Sequence, residues 1–207
     1  MALDTFGGLK TSIATWLNRA DLTSYIPDFV KLAEQRLNYG SDGAYPSAPL
    51  RIPAMQTTAT GTITSSAIAF PTRFLEPIRI MANSGSTKWS LSYMAPERFS
   101  EQSNGSGVPT VYTYLNNTIQ TAETGAADYT LDYYQAFAAL SADADTNWVL
   151  TNAPSLYLYG SLIEAGPFLG DSTILQAWAG MFNASIAAVN RATKYQGGGS
   201  MATRVVK

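Results

Sequence analysis

The sequence predicts an α+β protein: an antiparallel four-helix bundle built from N- and C-terminal helices, with an antiparallel β-meander inserted between its halves. Three observations predict it. Apolar residues recur every three to four positions near both ends of the chain. The period drops to two between residues 54 and 135. Each helical stripe is too one-sided to be buried without a partner.

The first helix spans residues 5–19, with Leu9, Ile13, Trp16 and Leu17 on one stripe and Asp4 or Thr5 as its cap. The second spans 24–38, with Ile26, Phe29, Val30, Ala33 and Leu37 on its stripe. Pro27 falls in its first turn, where a missing N–H is harmless, and Gly40 ends it. The short link Arg19-Ala20-Asp21 implies a hairpin of helices. Gly40, Gly43, Pro46, Pro49 and Pro53 then mark a loop over residues 39–53.

In the β region, Ile78 and Ile80 alternate with Arg79, and Trp89, Leu91 and Tyr93 alternate with serines across the turn Asn83-Ser84-Gly85-Ser86. Asn116-Asn117 joins strands 110–115 and 118–122, since asparagine tolerates the positive φ of a two-residue hairpin. Tyr129, Leu131 and Tyr133 alternate on a last strand over 128–134. The expectation is four or five strands, with one short helical turn from Pro96 to Gln102. Helix returns at residues 154–169, with a stripe broad enough to be buried on more than one side and Pro167 to kink or end it. Asp171 caps the last helix, residues 172–195, whose stripe reads Ile174, Trp178, Met181, Phe182, Ile186 and Val189. The expected divisions are residues 1–53 and 136–195 for the two halves of the bundle, 54–135 for the inserted β domain, and 196–207 for a flexible tail introduced by Gly197-Gly198-Gly199-Ser200.

Composition narrows the function. Of 207 residues, 46% are hydrophobic and only 14% charged, so Ser, Thr, Asn and Gly dominate the surface. The absence of cysteine excludes disulfides and thiol chemistry, and the absence of histidine excludes Ser-His-Asp and Cys-His arrangements. No secretory signal opens the sequence and no apolar run is long enough for a membrane span, so no membrane partner is expected. Asp143, Asp145 and Asn147 match the opening of a calcium loop, but Trp148 and Pro154 occupy its glycine and final-acid positions, and a polar helix-capping turn is the favoured reading. No phosphate-binding loop occurs, and no cofactor is implied. The tyrosine-rich strands leave open a carbohydrate-binding or glycan-degrading role, although no pair of acids stands out for it. A helical scaffold without a fixed partner is a third reading.

Charge is unevenly distributed. Residues 99–190 contain eight acids and no Lys or Arg, among them Glu123, Asp128, Asp132, Asp143 and Asp145. With no cation in the block, these carboxylates are expected to face water or a partner and to repel nucleic acid. Residues 191–207 are purely basic: Arg191, Lys194, Arg204 and Lys207.

Three segments together resemble the tailed-bacteriophage head–tail adaptor proteins, also called connector or head-completion proteins. They are Thr15-Trp16-Leu17-Asn18-Arg19-Ala20-Asp21-Leu22-Thr23 running into residues 26–38; Phe70-Pro71-Thr72-Arg73-Phe74-Leu75-Glu76; and Leu131-Asp132-Tyr133-Tyr134 leading to Asn147-Trp148-Val149-Leu150, Pro154 to Gly160, and Glu164-Ala165. The resemblance covers most of residues 10–190. It implies a virion structural protein without an active site. Such proteins form a homo-dodecameric ring below the portal protein, extend the channel through which double-stranded DNA passes without specific binding, and offer a surface to the next tail component, a nozzle or further adaptor. It also implies a C-terminal tail that grips the portal; in this sequence Val205 and Val206 between Arg204 and Lys207 are the expected anchors, since only a binding surface would offset the entropy of ordering residues 196–207. The five acids named above are then candidates for the channel lining. The loop from Tyr39 to Pro49 is longer than the family pattern and is a candidate partner-specific contact.

Overall fold

The structure, a computed structural model, describes residues 3–63, 65–101, 105–123, 125 and 127–196. In chain order the elements are α1 (Phe6–Leu17), a 3-10 helix (Ala20–Tyr25), α2 (Ile26–Tyr39), a 3-10 turn (Pro53–Met55), β1 (Gln56–Ile63), β2 (Ala67–Ala69), β3 (Phe74–Ser84), β4 (Thr87–Ser90), β5 (Ser92–Tyr93), α3 (Pro96–Glu101), β6 (Val111–Leu115), β7 (Thr118–Thr121), β8 (Ala127–Gln135), α4 (Trp148–Asn152), α5 (Pro154–Glu164), α6 (Gly166–Leu169) and α7 (Ser172–Gln196). The described residues form two compact units, those of 1–54 with those from 137 onward, and those of 55–136.

The helical unit is not the four-helix bundle expected from the sequence. In such a bundle each helix keeps one polar outer face. Here α5 buries Leu156, Tyr157, Leu158, Gly160, Ser161, Leu162 and Ile163, residues that point in every direction around its axis. It is a central helix on which α1, α2 and α7 all pack. At Gly160, an added Cβ would lie 3.0 Å from the Ala33 Cβ of α2 and 3.1 Å from the Phe182 ring of α7, so glycine sets how closely the three helices approach. The short α3 in the β unit is the helical turn expected from Pro96, α6 is the end of the expected helix 154–169 set off near Pro167, and α4 before α5 is additional to the expected elements.

Local signals explain the helix ends. The Thr5 hydroxyl accepts from the Gly8 N–H at the start of α1, and Asn18 closes α1 in the left-handed region. The Asp171 carboxylate accepts from the Thr173 and Ile174 N–H groups at the start of α7. Between α1 and α2 the chain forms a 3-10 helix instead of a bare link.

The β unit also departs from the single meander. It holds two four-stranded sheets, ordered β1-β8-β3-β4 and β2-β7-β6-β5. The apparent strand Trp89-Leu91-Tyr93 is divided: β4 pairs antiparallel with β3, whereas β5 pairs parallel with β6. The break lies at Leu91, whose N–H donates to the Ile80 carbonyl while the next residue, Ser92, donates to Thr110. The Trp89 indole N–H donates to the Pro109 carbonyl and ties the crossover down. Both sheets contribute to one core: Ile63, Ile80 and Leu131 from the first, Ile68 and Ile119 from the second. The β6–β7 hairpin turns at Asn116 and Asn117, with φ of 51° and 58°.

Candidate functional site

The two candidate features are the acids of residues 99–190 and the outward surfaces available for assembly. The acids are not a free field of charge, which corrects the expectation drawn from the missing cations. Cations from the first half of the chain reach them. Arg79 on β3 pairs with Asp132 on β8 at 2.6 Å, and Lys10 on α1 pairs with Asp143 at 2.6 Å. Arg36 on α2 pairs with Glu164 on α5 at 2.6 Å in a largely buried setting, and its other nitrogen donates to the Tyr45 carbonyl.

The five channel candidates divide between the two units. Asp128 and Asp132 lie on the outer face of β8, accepting from Thr62 and Thr58 of β1. The Thr58 hydroxyl and then Arg79 hold the Asp132 carboxyl below the usual carboxylate range. Glu123, after β7, accepts from the Thr110 N–H and hydroxyl. Asp143 and Asp145 belong to the helical unit and serve its loops. Their carbonyls accept from the Gly7 and Phe6 N–H groups at the start of α1. The Asp145 carboxylate accepts from the N–H groups of Ala142 and Ser141, which holds it below its ordinary value. Asn147 caps α4 by accepting from the Leu150 N–H. The calcium-like spacing therefore reflects a turn folded on its own backbone, and among the described residues no cluster of acids suited to a metal occurs.

Sequence reasoning missed a partly buried network beneath that turn. Glu34 on α2 accepts from the Leu140 N–H at 3.0 Å and from the Tyr157 hydroxyl at 3.1 Å. Asn147 donates to the Tyr157 oxygen at 2.7 Å and to the Ala138 carbonyl. Burial pushes the Glu34 carboxyl up, and burial together with the Glu34 charge pushes the Tyr157 hydroxyl up. The only sequence signal was an acid one turn from the apolar stripe of α2.

The tyrosines form no flat platform. Tyr93, Tyr112 and Tyr114 pack on one another with ring centroids 5.7 to 5.8 Å apart, and Phe70 adjoins Tyr114. The loop after α2 is anchored: Leu50 and Ile52 are buried, Ser41 and Ser47 form a bridge, and Asn183 and Asn190 of α7 donate to the Pro46 and Pro49 carbonyls.

The assembly surface is clearest on α7. Its buried stripe is Leu175, Ala179, Phe182 and Ile186. Ile174 and Met181, expected on that stripe, are instead 44% and 47% exposed, with Trp178 half-buried between them. Ala177, Gly180 and Ala184 are exposed beside them, and residues 172–190 carry no charge. The anchors Arg204, Val205, Val206 and Lys207 lie outside the described residues.

A subunit that turns an uncharged apolar ridge outward, and uses several of its ionisable groups to pin its own loops, has the surface of an assembly component. Residues 4–204 match the family described as SU10 adaptor protein, and the chain belongs to that family. It is accordingly a bacteriophage adaptor, a structural protein of the virion neck that interacts with portal and tail components. No curated protein matches the chain. Among the described residues no helix is long and apolar enough to cross a membrane.

Proposed function

We propose that the chain forms a homo-dodecameric adaptor ring below the portal, joins capsid to tail, and extends the channel through which double-stranded DNA passes. The outward ridge of α7 carries this reading. Ile174, Trp178 and Met181 present apolar surface where a lone subunit would carry charge, and Ala177, Gly180 and Ala184 let a neighbouring backbone approach closely. Family membership supports the same role.

Within that ring the acids Glu123, Asp128, Asp132, Asp143 and Asp145 are candidates for the lumen. The ion pairs of Asp132 and Asp143 leave Glu123, Asp128 and Asp145 as the stronger source of repulsion towards phosphates. Arg204, Val205, Val206 and Lys207 are the proposed portal anchors, and the opposite rim of the ring receives the next tail component, a nozzle or further adaptor. The ring reading is tested by Met181→Glu, which places a charge in the ridge without touching the buried stripe. The variant subunit folds but fails to enter rings seen by electron microscopy. Rings at wild-type yield would overturn the reading.

A further inference from the structure

The β unit carries a second surface, on the first sheet. Strand β1 is its edge and pairs with β8 through eight consecutive residues without a register shift. Edge strands are usually blunted by shortness, charge, proline or a bulge. The other three edges are shorter: β2 has three residues, β5 two and β4 four. Strand β1, Gln-Thr-Thr-Ala-Thr-Gly-Thr-Ile, has none of these protections. Among the described residues its outer backbone groups have no further backbone hydrogen bond.

We propose that β1 pairs with β4 of a neighbouring copy, so that the first sheet continues from subunit to subunit. Strand direction permits it. The pairs β1–β8, β8–β3 and β3–β4 are all antiparallel, so β4 runs opposite to β1. A copy related by rotation about an axis along the strands brings its β4 antiparallel against β1 of the first copy, with the outer face kept outward. The contact is head-to-tail and repeats until the ring closes. Charge agrees. The registers place Thr62, Asp128, Asn83 and Lys88 in one row across the outer face. Among the described residues neither Asp128 nor Lys88 has an ion-pair partner. Pairing the edges sets Lys88 of the neighbour beside Thr62, across β1 from Asp128, as Lys88 of the same copy lies across β3 from it, so that Asp128 has a lysine on either side.

This inference rests on the ring reading and names one contact within it. The chain has no cysteine, which suits cross-linking. Ser90→Cys is combined in turn with Thr58→Cys, Thr60→Cys and Thr62→Cys, and virions assembled with each variant are oxidised. At least one double variant is expected to give a ladder of subunit multiples on a non-reducing gel, and the single variants none. Absence of any ladder, in virions that hold the chain at wild-type copy number, overturns the edge contact and leaves the ring standing. A dimer from Thr60→Cys alone overturns it in favour of β1–β1 pairing. A cross-link to a protein of another mass overturns it in favour of a different partner. Virions with only one copy of the chain overturn the ring reading itself.

Discussion

The Tyr157 hydroxyl on α5 donates to the Glu34 carboxylate on α2 at 3.1 Å, and the same carboxylate holds the Leu140 backbone N–H. One half-buried acid thus joins two helices to the segment that follows the β unit. Its ionisation is disfavoured by burial, so its pKa in the fold lies above its value in the unfolded chain, about 4.3. The stability it contributes is full below the unfolded pKa and is lost as pH rises through the folded pKa. Glu34→Gln keeps both hydrogen bonds and removes the titration. Urea melts across that rising-pH window should show the wild type losing stability relative to Glu34→Gln; parallel curves would contradict the assignment. Asp132 has the opposite sign. Its pKa is depressed, so its contribution is present above the unfolded value and lost as pH falls through the folded one.

Gly160 sits where α2, α5 and α7 converge. Gly160→Val forces a branched side chain against Ala33 and Phe182. Overpacking of this kind costs about 1–3 kcal/mol, more than the roughly 0.3 kcal/mol of helix propensity that valine gains over glycine. Chemical denaturation should register that loss. By contrast, Gly180→Ala meets open space and an exposed helix surface, and should be neutral or stabilising by up to about 1 kcal/mol.

Asn147 caps α4 and also donates to Ala138 and Tyr157. Asn147→Ala removes the cap and two further bonds. The cap alone is worth about 0.5–2 kcal/mol. Amide exchange should quicken first in α4 and in residues 138–147.

Deletion of residues 197–207 leaves every described contact in place. The truncated chain should melt like the full chain and lose portal in a pull-down. Undiminished portal capture would remove Arg204, Val205, Val206 and Lys207 from the anchoring role.

Much of this fold was legible where a local rule decides the outcome. Thr5 and Asp171 cap helices by their own side chains, and Asn116-Asn117 makes its hairpin by backbone preference alone. The parts that were not legible depend on distant partners. Strand β1 has small inward residues, Thr57, Ala59 and Gly61, because Tyr129 of β8 lies across Gly61, where an added Cβ would meet its ring at 3.0 Å. The apolar signal for that strand therefore sits on its neighbour. Trp89, Leu91 and Tyr93 alternate as one strand would, and only the pairing with Ile80 and Thr110 divides them. On α7 two apolar stripes lie side by side, and periodicity does not say which faces inward; α5 selects Leu175, Ala179, Phe182 and Ile186. The acids misled for the same reason: their cations lie about fifty to one hundred and thirty residues away in the chain.

The central claim is a closed ring of this chain between portal and tail, and a reconstruction of the purified virion neck tests it most directly. The account predicts repeated copies of the chain directly below the portal, with the α7 ridge against a neighbouring subunit. A neck in which the chain is missing, or in which Ile174, Trp178 and Met181 all face solvent, would contradict it.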